Sequence, residues 1–169
     1  MGMVTRNENG RETDGAFERA PVEVHETRES ASLRVAVEMA SLIRKRAQEG
    51  KMAVLGFATG STPVRVYREL IRLHREEGLS FGNVVTFNLD EYYPISHEHR
   101  ESYNRFMREQ LFDHIDIPAE NIHIPNGEVK REEAFAHCLA YEEEIRAAGG
   151  IDIQLLGIGR TGHIGFNEP

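Results

Sequence analysis

The stretch MAVLGFATGSTPVRVYRELIRLHREEG, residues 52–78, decides the fold. An apolar run opens it, a short turn around Gly60 and Pro63 follows, and an amphipathic segment then runs to Gly78. A short apolar run bounded by turn residues is typical of a buried strand, and apolar residues recurring every three or four positions indicate a helix. The stretch therefore predicts a strand, a loop and a helix, which is the repeating unit of parallel α/β proteins.

The same unit recurs further along the chain. Residues 84–93, VVTFNLDEYY, lead through a polar loop into a helical pattern at residues 102–115. A helical pattern at residues 131–150 then feeds the apolar run IDIQLLGIG at residues 151–159. Strands that alternate with helices predict a doubly wound α/β fold, with a mostly parallel, Rossmann-like sheet and helices on both faces.

Upstream, the folded part is expected to begin near Pro21. Residues 22–26, VEVHE, alternate like a short strand, and residues 28–50 follow as a helix. The predicted apolar face of this helix comprises Leu33, Val37, Met39, Ala40 and Ile43. Residues 1–20 are polar and lack aliphatic periodicity, which predicts a flexible leader in front of a folded region at residues 21–169.

Composition excludes several classes of function. The chain has 28 acidic and 20 basic residues, a formal net charge of −8, and no Lys/Arg cluster that could track a phosphate backbone, so we expect no nucleic-acid partner. No apolar run approaches the ~20 residues of a membrane span, and no signal-peptide pattern opens the chain, which predicts a cytoplasmic protein with no membrane partner.

The remaining metal- or redox-active residue types have ordinary interpretations. The single cysteine, Cys138, lies at helical spacing among apolar residues, which predicts a small buried side chain. His97 and His99 flank Glu98 with a spacing that fits no standard zinc pattern. We therefore expect a solvated loop there and no metal site.

Three polar loops each directly follow an apolar strand, at residues 59–63, 88–93 and 160–169. In an open parallel sheet, ligands bind beyond the carboxyl ends of the strands. The three loops are therefore expected to meet in one crevice.

The first loop, TGSTP, has the composition of a helix N-terminus. Thr62 is a favourable N-cap residue, and Pro63 suits the first helical turn. Gly60 lets the backbone approach a ligand, while Thr59, Ser61 and Thr62 add hydroxyls to the free N–H groups at the positive end of the helix dipole. Such a loop can hold a phosphate without a lysine, although an ordinary capped helix has the same pattern.

The other two loops carry titratable side chains. Asp90 and Glu91 follow a hydrophobic strand, where partial desolvation would raise the pKa of a carboxyl group toward that of a useful base, although a strand-end Asp is also a common loop cap. His163 is held between glycines, and Glu168 lies close enough in sequence to set the tautomer of the imidazole. A proton-shuttling pair competes here with a nucleotide loop, since GIGRTG matches G-x-G-x-x-G, but no helix pattern follows it.

Taken together, these segments resemble the glucosamine-6-phosphate deaminase family. The resemblance runs from about residue 22 to the end of the chain. It rests on an ordered set of motifs: LGFATGSTP, VVTFNLDEYY, ESYNRFM, LFDHIDIPAENIHIPNG, YEEEIRAAGGIDIQLLGIG and GHIGFNEP. The related 6-phosphogluconolactonases share the architecture and a similar glycine–histidine loop, but they lack FNEP.

The resemblance implies a specific reaction, the conversion of glucosamine 6-phosphate and water into fructose 6-phosphate and ammonia in amino sugar catabolism. Asp90 matches the family's general base, His163 matches the residue that opens the sugar ring, and Glu168 matches its carboxylate partner. Residues Thr59–Thr62 match the phosphate cradle. The resemblance also implies no metal or organic cofactor, and a small phosphorylated amino sugar as the binding partner.

Two features depart from the family. An Asp or Asn usually stands two residues before the catalytic histidine, whereas this chain has Thr161, which can hydrogen-bond the imidazole but cannot ionise. Family chains also continue beyond FNEP with further strands, helices and basic residues. We therefore expect residues 21–169 to be the N-terminal part of a longer deaminase-like domain, weakly active or inactive alone, with an uncovered sheet edge that favours association into homo-oligomers.

Alternative functions of two kinds stand beside the deaminase. A non-catalytic sugar-phosphate sensor would keep the cradle and lose efficient chemistry through Thr161. A 6-phosphogluconolactonase-like hydrolase or a pentose-phosphate isomerase would differ in substrate, and the combination of FNLDEYY with GHIGFNEP disfavours both.

Overall fold

A computed structural model describes residues 21–169, and the predicted leader at residues 1–20 lies outside the described residues. Helices α1 to α4 span Arg28–Gln48, Val64–Glu77, Tyr103–Gln110 and Ala134–Ala147. Strands β1 to β4 span Ala53–Phe57, Val84–Asn88, Ile122–His123 and Ile153–Gln154. Short 3-10 turns at Phe112–His114 and Ala119–Asn121 connect α3 to β3.

The four strands form one parallel sheet in the order β3-β2-β1-β4. β1 and β2 pair along their whole length, from Ala53 opposite Val84 to Phe57 opposite Asn88. The chain builds outward from β1 to β3 and then returns to the other side of β1 for β4. The strand order therefore reverses between β1 and β4, and open α/β sheets bind ligands beyond the carboxyl ends of the strands at such a reversal.

Helices cover both faces of the sheet. On one face, Leu55 and Phe57 belong to the main hydrophobic core together with buried residues of α1, α2 and α3. On the other face, Phe87 packs edge-on against Tyr141 of α4, with ring centroids 5.6 Å apart. Because side chains alternate along a strand, β1 and β2 supply apolar groups to both layers. The predicted α/β class, with a parallel sheet between helices, is confirmed.

A carboxylate fastens β4 to β1. Asp152, one residue before β4, accepts a hydrogen bond from the backbone N–H of Val54 at 3.0 Å and also pairs with Arg46 of α1. Asp152 lies 98 residues beyond Val54 in the chain. This one side chain therefore joins the last strand to the first strand and to the first helix.

The N-terminal predictions are only partly correct. The predicted strand at residues 22–26 does not form, and Val22 and Val24 are 71% and 91% exposed. Alternation alone does not make a strand, and within residues 21–169 no neighbouring strand pairs with this segment. The buried face of α1 consists of Ala36, Met39, Ala40 and Ile43. The predicted members Leu33 and Val37 lie outside that narrower stripe and are 44% and 43% exposed.

The prediction that Cys138 is buried is wrong. Cys138 is exposed, because the partly buried stripe of α4 runs through Ala134, His137, Tyr141 and Ile145, one position away from it. None of the helices in the described part of the chain is long and apolar enough to cross a membrane.

Candidate active site

The three polar loops meet in one cleft of about 450 Å³ beyond the carboxyl ends of β1, β2 and β4. Its walls include Thr59–Thr62 from the first loop, Asp90 from the second and His163 from the third. The start of α3, including Tyr103, closes one side. The two remaining candidates, Thr161 and Glu168, do not line the cleft. Both lie near Nδ1 of His163. The topology thus brings sequence-distant polar groups to the place where the strand order reverses.

The first loop leads into a helix, but its capping differs from the prediction. α2 begins at Val64 with Pro63 as the N-cap residue, so no side chain caps the helix. The predicted capping role of Thr62 is therefore wrong, because the Thr62 hydroxyl makes no capping hydrogen bond and the N-cap position falls on Pro63, whose side chain cannot accept one. Within residues 21–169, the hydroxyls of Ser61 and Thr62 make no hydrogen bond. Both hydroxyls are exposed and free to bind a ligand.

A buried tyrosine holds the start of this loop. The Tyr67 hydroxyl, on α2, donates a hydrogen bond to the carbonyl of Ala58, the residue before Thr59. The Tyr67 ring packs edge-on against Phe57 at 5.4 Å between centroids, and burial raises the pKa of the phenol. The loop therefore leaves the sheet in a direction that α2 and β1 set together.

The two neighbouring carboxylates, Asp90 and Glu91, have different environments. Glu91 accepts hydrogen bonds from the backbone N–H groups of Tyr103 and Asn104, both at 2.9 Å, and from the Ser102 hydroxyl at 3.0 Å. It caps the first turn of α3, where a carboxylate also interacts favourably with the helix dipole. The Glu91 carboxylate therefore serves to cap α3.

Asp90 differs from Glu91 in its contacts. Within the described residues it makes no hydrogen bond, and it is partly buried in the wall of the cleft. Burial, and secondly the negative charge of Glu91, raise the pKa of Asp90 above its usual range. A carboxylate with a raised pKa is a stronger base, so the structure favours Asp90 over Glu91 as the proton acceptor.

Replacing Glu91 by alanine is expected to lower the free energy of unfolding by about 2 kcal/mol, because partly buried N–H groups lose a charged acceptor. The measurement is denaturant unfolding followed by circular dichroism. Glu98→Ala is the matched control, since Glu98 is exposed on the same loop and its effect should stay within about 0.5 kcal/mol. Equal effects of the two substitutions would contradict the capping role.

Thr161 connects His163 to Glu168. Its hydroxyl donates to the Glu168 carboxylate at 2.9 Å and lies 2.8 Å from Nδ1 of His163. With its single proton given to Glu168, the hydroxyl oxygen accepts from Nδ1–H of His163. That arrangement leaves Nε2 as the unprotonated ring nitrogen. Glu168 also lies 3.5 Å from Nδ1, so the carboxylate supports the same tautomer directly.

Two glycines let this loop pack tightly. A Cβ atom at position 159 would lie 2.0 Å from Cε1 of His163, so the imidazole rests on the backbone of Gly159. Gly165 has φ +61°, and a Cβ atom there would lie 3.1 Å from Oδ2 of Asp90. The histidine loop is therefore seated against the Asp90 carboxylate as well as against its own backbone.

Sequence reasoning missed an aromatic cluster that joins the second and third loops. Phe166 lies 5.1 Å from Tyr92 and 5.8 Å from Tyr103, measured between ring centroids, and the two tyrosines are 4.8 Å apart. The Tyr103 hydroxyl also lies beside the Thr59 side chain, and burial raises the pKa of Tyr103. Large aromatic residues inside otherwise polar loops were the available signal.

His97 and its neighbours form local contacts. Nε2 of His97 lies 3.0 Å from the Asn126 side-chain oxygen, and Nδ1 lies 3.7 Å from Glu128. Within residues 21–169, no group of three or more His, Cys, Asp or Glu side chains is placed to hold a metal ion.

The sequence model of a family described as glucosamine-6-phosphate isomerases and 6-phosphogluconolactonases matches residues 26–165. The chain belongs to this family. Among the family's curated members, a glucosamine-6-phosphate deaminase of Shewanella woodyi is 54% identical over 138 residues, which are 82% of this chain and 52% of the relative. A glucosamine-6-phosphate deaminase-like protein of Bacteroides thetaiotaomicron is 45% identical over 90% of this chain and 23% of its own length.

Solved structures in the same family share the fold. A monomeric glucosamine-6-phosphate deaminase is 46% identical with a TM-score of 0.80, over 86% of this chain and 58% of the other. A 6-phosphogluconolactonase of Thermotoga maritima is 27% identical with a TM-score of 0.66, over 80% of this chain and 59% of the other. The likeness to the deaminase is thus stronger by both measures. The chain spans about half the length of the curated deaminases that it matches.

Proposed function

We propose that this protein is a glucosamine-6-phosphate deaminase, which converts glucosamine 6-phosphate and water into fructose 6-phosphate and ammonia. The observation that carries the proposal is the shared cleft, in which Asp90 and His163 face the same space as the Thr59–Thr62 loop. Curated deaminases about half identical to this chain support it. We also propose that residues 21–169 form the N-terminal part of a deaminase-like sugar-phosphate α/β domain.

The loop before α2 would bind the phosphate group. Its exposed Ser61 and Thr62 hydroxyls, together with backbone N–H groups at the helix N-terminus, suit the oxygens of an anion. Gly60, with φ +98°, turns the backbone without a side chain in the way. Binding the phosphate here would direct the carbon skeleton toward Asp90 and His163.

His163 would open the pyranose ring. Nε2 can take the proton of the C1 hydroxyl and deliver it to the ring oxygen as the bond between C1 and that oxygen breaks, which gives the open-chain aldehyde. The Thr161 hydroxyl and Glu168 would hold the imidazole in the required tautomer and stabilise the positive charge that forms on it.

Asp90 would then carry the isomerisation. Its carboxylate takes the proton from C2 of the opened sugar while the substrate ammonium group passes a proton to O1, giving an enol-amine, and the Asp90 carboxyl group then returns its proton to C1. The resulting C2 imine adds water and releases ammonia, which leaves fructose 6-phosphate. Each step is a proton transfer, a hydration or an elimination, so we propose that no metal or organic cofactor takes part.

The test is an assay of the gene product that carries these residues. We expect equal amounts of ammonia and fructose 6-phosphate from glucosamine 6-phosphate, and no hydrolysis of 6-phosphogluconolactone in a parallel reaction. Absence of both products, with the protein folded, would overturn the proposal. Hydrolysis of the lactone would favour the lactonase alternative instead.

A second candidate is a non-catalytic sensor of sugar phosphates. The neutral Thr161 hydroxyl between His163 and Glu168 favours it, because an ionisable residue at this position would stabilise the imidazolium more strongly. Calorimetric binding of glucosamine 6-phosphate without any turnover would support the sensor over the enzyme.

If the protein is an enzyme, replacing Thr161 by valine tests the link that its hydroxyl makes between His163 and Glu168. Valine has a similar shape but no hydroxyl, so His163 loses its link to Glu168 and kcat should fall by roughly 10², a typical acid–base contribution. KM should change little, since the phosphate loop is untouched. Thr161→Ser, which keeps the hydroxyl, is the matched control and should retain most of the activity. Unchanged kcat in Thr161→Val would remove the connecting role of this hydroxyl.

The cellular setting is part of the same proposal. A phosphorylated sugar is charged and does not cross a bilayer unaided, so an enzyme that consumes it would work in the cytoplasm. We place the reaction in amino sugar catabolism, after the step that generates glucosamine 6-phosphate. Self-association remains a further proposal, tested by the mass of the protein in solution.

A further inference from the structure

Tyr67 holds the strand end from which the phosphate loop starts. It lies in the first turn of α2 and is fully buried, and its hydroxyl donates a hydrogen bond to the carbonyl of Ala58. Ala58 lines the cleft and directly precedes the Thr59–Thr62 loop. We propose that Tyr67 is a positioning residue for phosphate binding, which turns the first peptide unit of this loop toward the anion. This inference rests on the proposed function.

The orientation of a peptide unit decides whether it attracts or repels a phosphate. In a trans peptide the C=O and N–H groups point in opposite directions, and the bond between Ala58 and Thr59 is trans. The Ala58 carbonyl is directed at Tyr67, a member of the hydrophobic core. The Thr59 N–H group belongs to the same unit and therefore points away from that core. Both residues line the cleft, so this orientation offers an N–H group to an anion there, and the reversed orientation would offer a carbonyl oxygen.

The Tyr67 hydroxyl is a rigid donor that keeps its proton. The ring packs edge-on against Phe57, with 5.4 Å between centroids, and the backbone N–H of Tyr67 donates to the Pro63 carbonyl at 3.0 Å. Such a buried ring cannot change its rotamer without disturbing the close-packed core. Burial also raises the pKa of the Tyr67 phenol, so the hydroxyl remains a donor at neutral pH. The helix α2 therefore supplies both the positive end of a dipole and the group that orients the loop.

Loss of the hydroxyl would release the peptide unit between Ala58 and Thr59. Ala58 is 7% exposed, so its carbonyl would lose a donor at a position with little access to water. Rotation of the unit toward the cleft would give the carbonyl a solvent partner, and it would turn the Thr59 N–H group away from the phosphate. Tyr67→Phe tests this effect, because the phenylalanine ring still fills the core.

A second tyrosine provides the matched control. The Tyr141 hydroxyl, on α4, donates to the carbonyls of Asn88 and His123 at 2.9 and 3.0 Å, on the opposite face of the sheet. Tyr141→Phe thus also deletes a hydroxyl that holds the ends of strands, but it leaves the Thr59–Thr62 loop without a changed contact. Both variants should lose some stability, whereas weaker phosphate binding is expected for Tyr67→Phe alone.

The experiment is calorimetric titration with inorganic phosphate of the gene product that carries these residues. Because one oriented donor is lost, the dissociation constant for phosphate should rise roughly fivefold to tenfold in Tyr67→Phe. It should stay within twofold of the wild-type value in Tyr141→Phe. In steady-state assays of Tyr67→Phe, KM for glucosamine 6-phosphate should rise by a similar factor while kcat changes little, which separates weaker binding from a general loosening of the site.

The titration also separates this inference from the deaminase proposal, because phosphate binding needs no turnover. Weaker phosphate binding in Tyr67→Phe supports the positioning role even if the wild-type protein does not deaminate the sugar. A phosphate affinity within twofold of wild type in Tyr67→Phe overturns the positioning role, and an equal loss of affinity in Tyr141→Phe does so too. Either of these results leaves the deaminase proposal intact if turnover is normal.

Discussion

Asp90→Asn is expected to lower kcat by roughly 10² or more, the usual contribution of a general base, while the protein stays folded. Asparagine keeps the size of the side chain and removes its ability to accept the C2 proton. Steady-state assay of the variant with glucosamine 6-phosphate measures the effect. Asp113→Asn, a change of an exposed carboxylate outside the cleft, is the matched control and should retain full turnover.

The same substitution has a predictable effect on stability. The folded-state pKa of Asp90 is raised above its ordinary 3.8, so the folded protein binds more protons than the unfolded chain between those two pKa values. The free energy of unfolding therefore falls as the pH rises from the ordinary pKa of Asp90 through its folded-state pKa. At neutral pH the ionised Asp90 carboxylate destabilises the fold. Asp90→Asn should accordingly raise the midpoint of the unfolding transition at pH 7. The catalytic activity of the wild-type protein should rise as the pH rises through the same window. A variant with lower stability and full turnover would contradict both statements.

Gly159→Ala is expected to be the second most damaging change. A Cβ atom at this position would lie 2.0 Å from Cε1 and 2.2 Å from Nε2 of His163, so the imidazole must leave its place. A misplaced acid–base group should cost roughly 10² in kcat, with KM little affected because the added Cβ atom meets His163 and no residue of the Thr59–Thr62 loop.

Gly157→Ala provides a control within the same loop. The nearest atom to a Cβ there is Cβ of Thr62 at 3.9 Å, which is an ordinary contact. We expect wild-type turnover for Gly157→Ala and a large loss for Gly159→Ala. Similar activities for the two variants would show that the position of His163 does not depend on contact with residue 159.

Much of the fold follows from local sequence patterns. The apolar runs that become β1 and β2 are bounded by turn residues, and each leads into an amphipathic helix, so their type and their order were predictable. The strand predicted at residues 22–26 failed because strand formation depends on a neighbour, which alternation does not report. Only two residues of the run at 151–159 pair with β1, which is likewise a tertiary outcome.

The location of the candidate site was predictable, but the hydrogen bonds and contacts within it were not. Parallel topology placed Asp90 and His163 at one edge, because both follow strands. The division of labour between Asp90 and Glu91 could not be predicted, since the partners of Glu91 lie 11 to 13 residues further along the chain. The contact between Gly159 and the ring of His163 depends on the exact course of a loop, for which no periodic pattern exists.

The bond between Asp152 and β1 has a consequence for synthesis on the ribosome. β1 can pair with β2 soon after both strands are made. The other edge of β1 stays unpaired until β4 is made, almost a hundred residues later. At about 5–20 residues per second, translation leaves that edge open for roughly 5–20 s. The phosphate loop and Asp90 therefore exist before the histidine loop does, and during that interval the nascent chain exposes unpaired backbone that chaperones or neighbouring chains can bind.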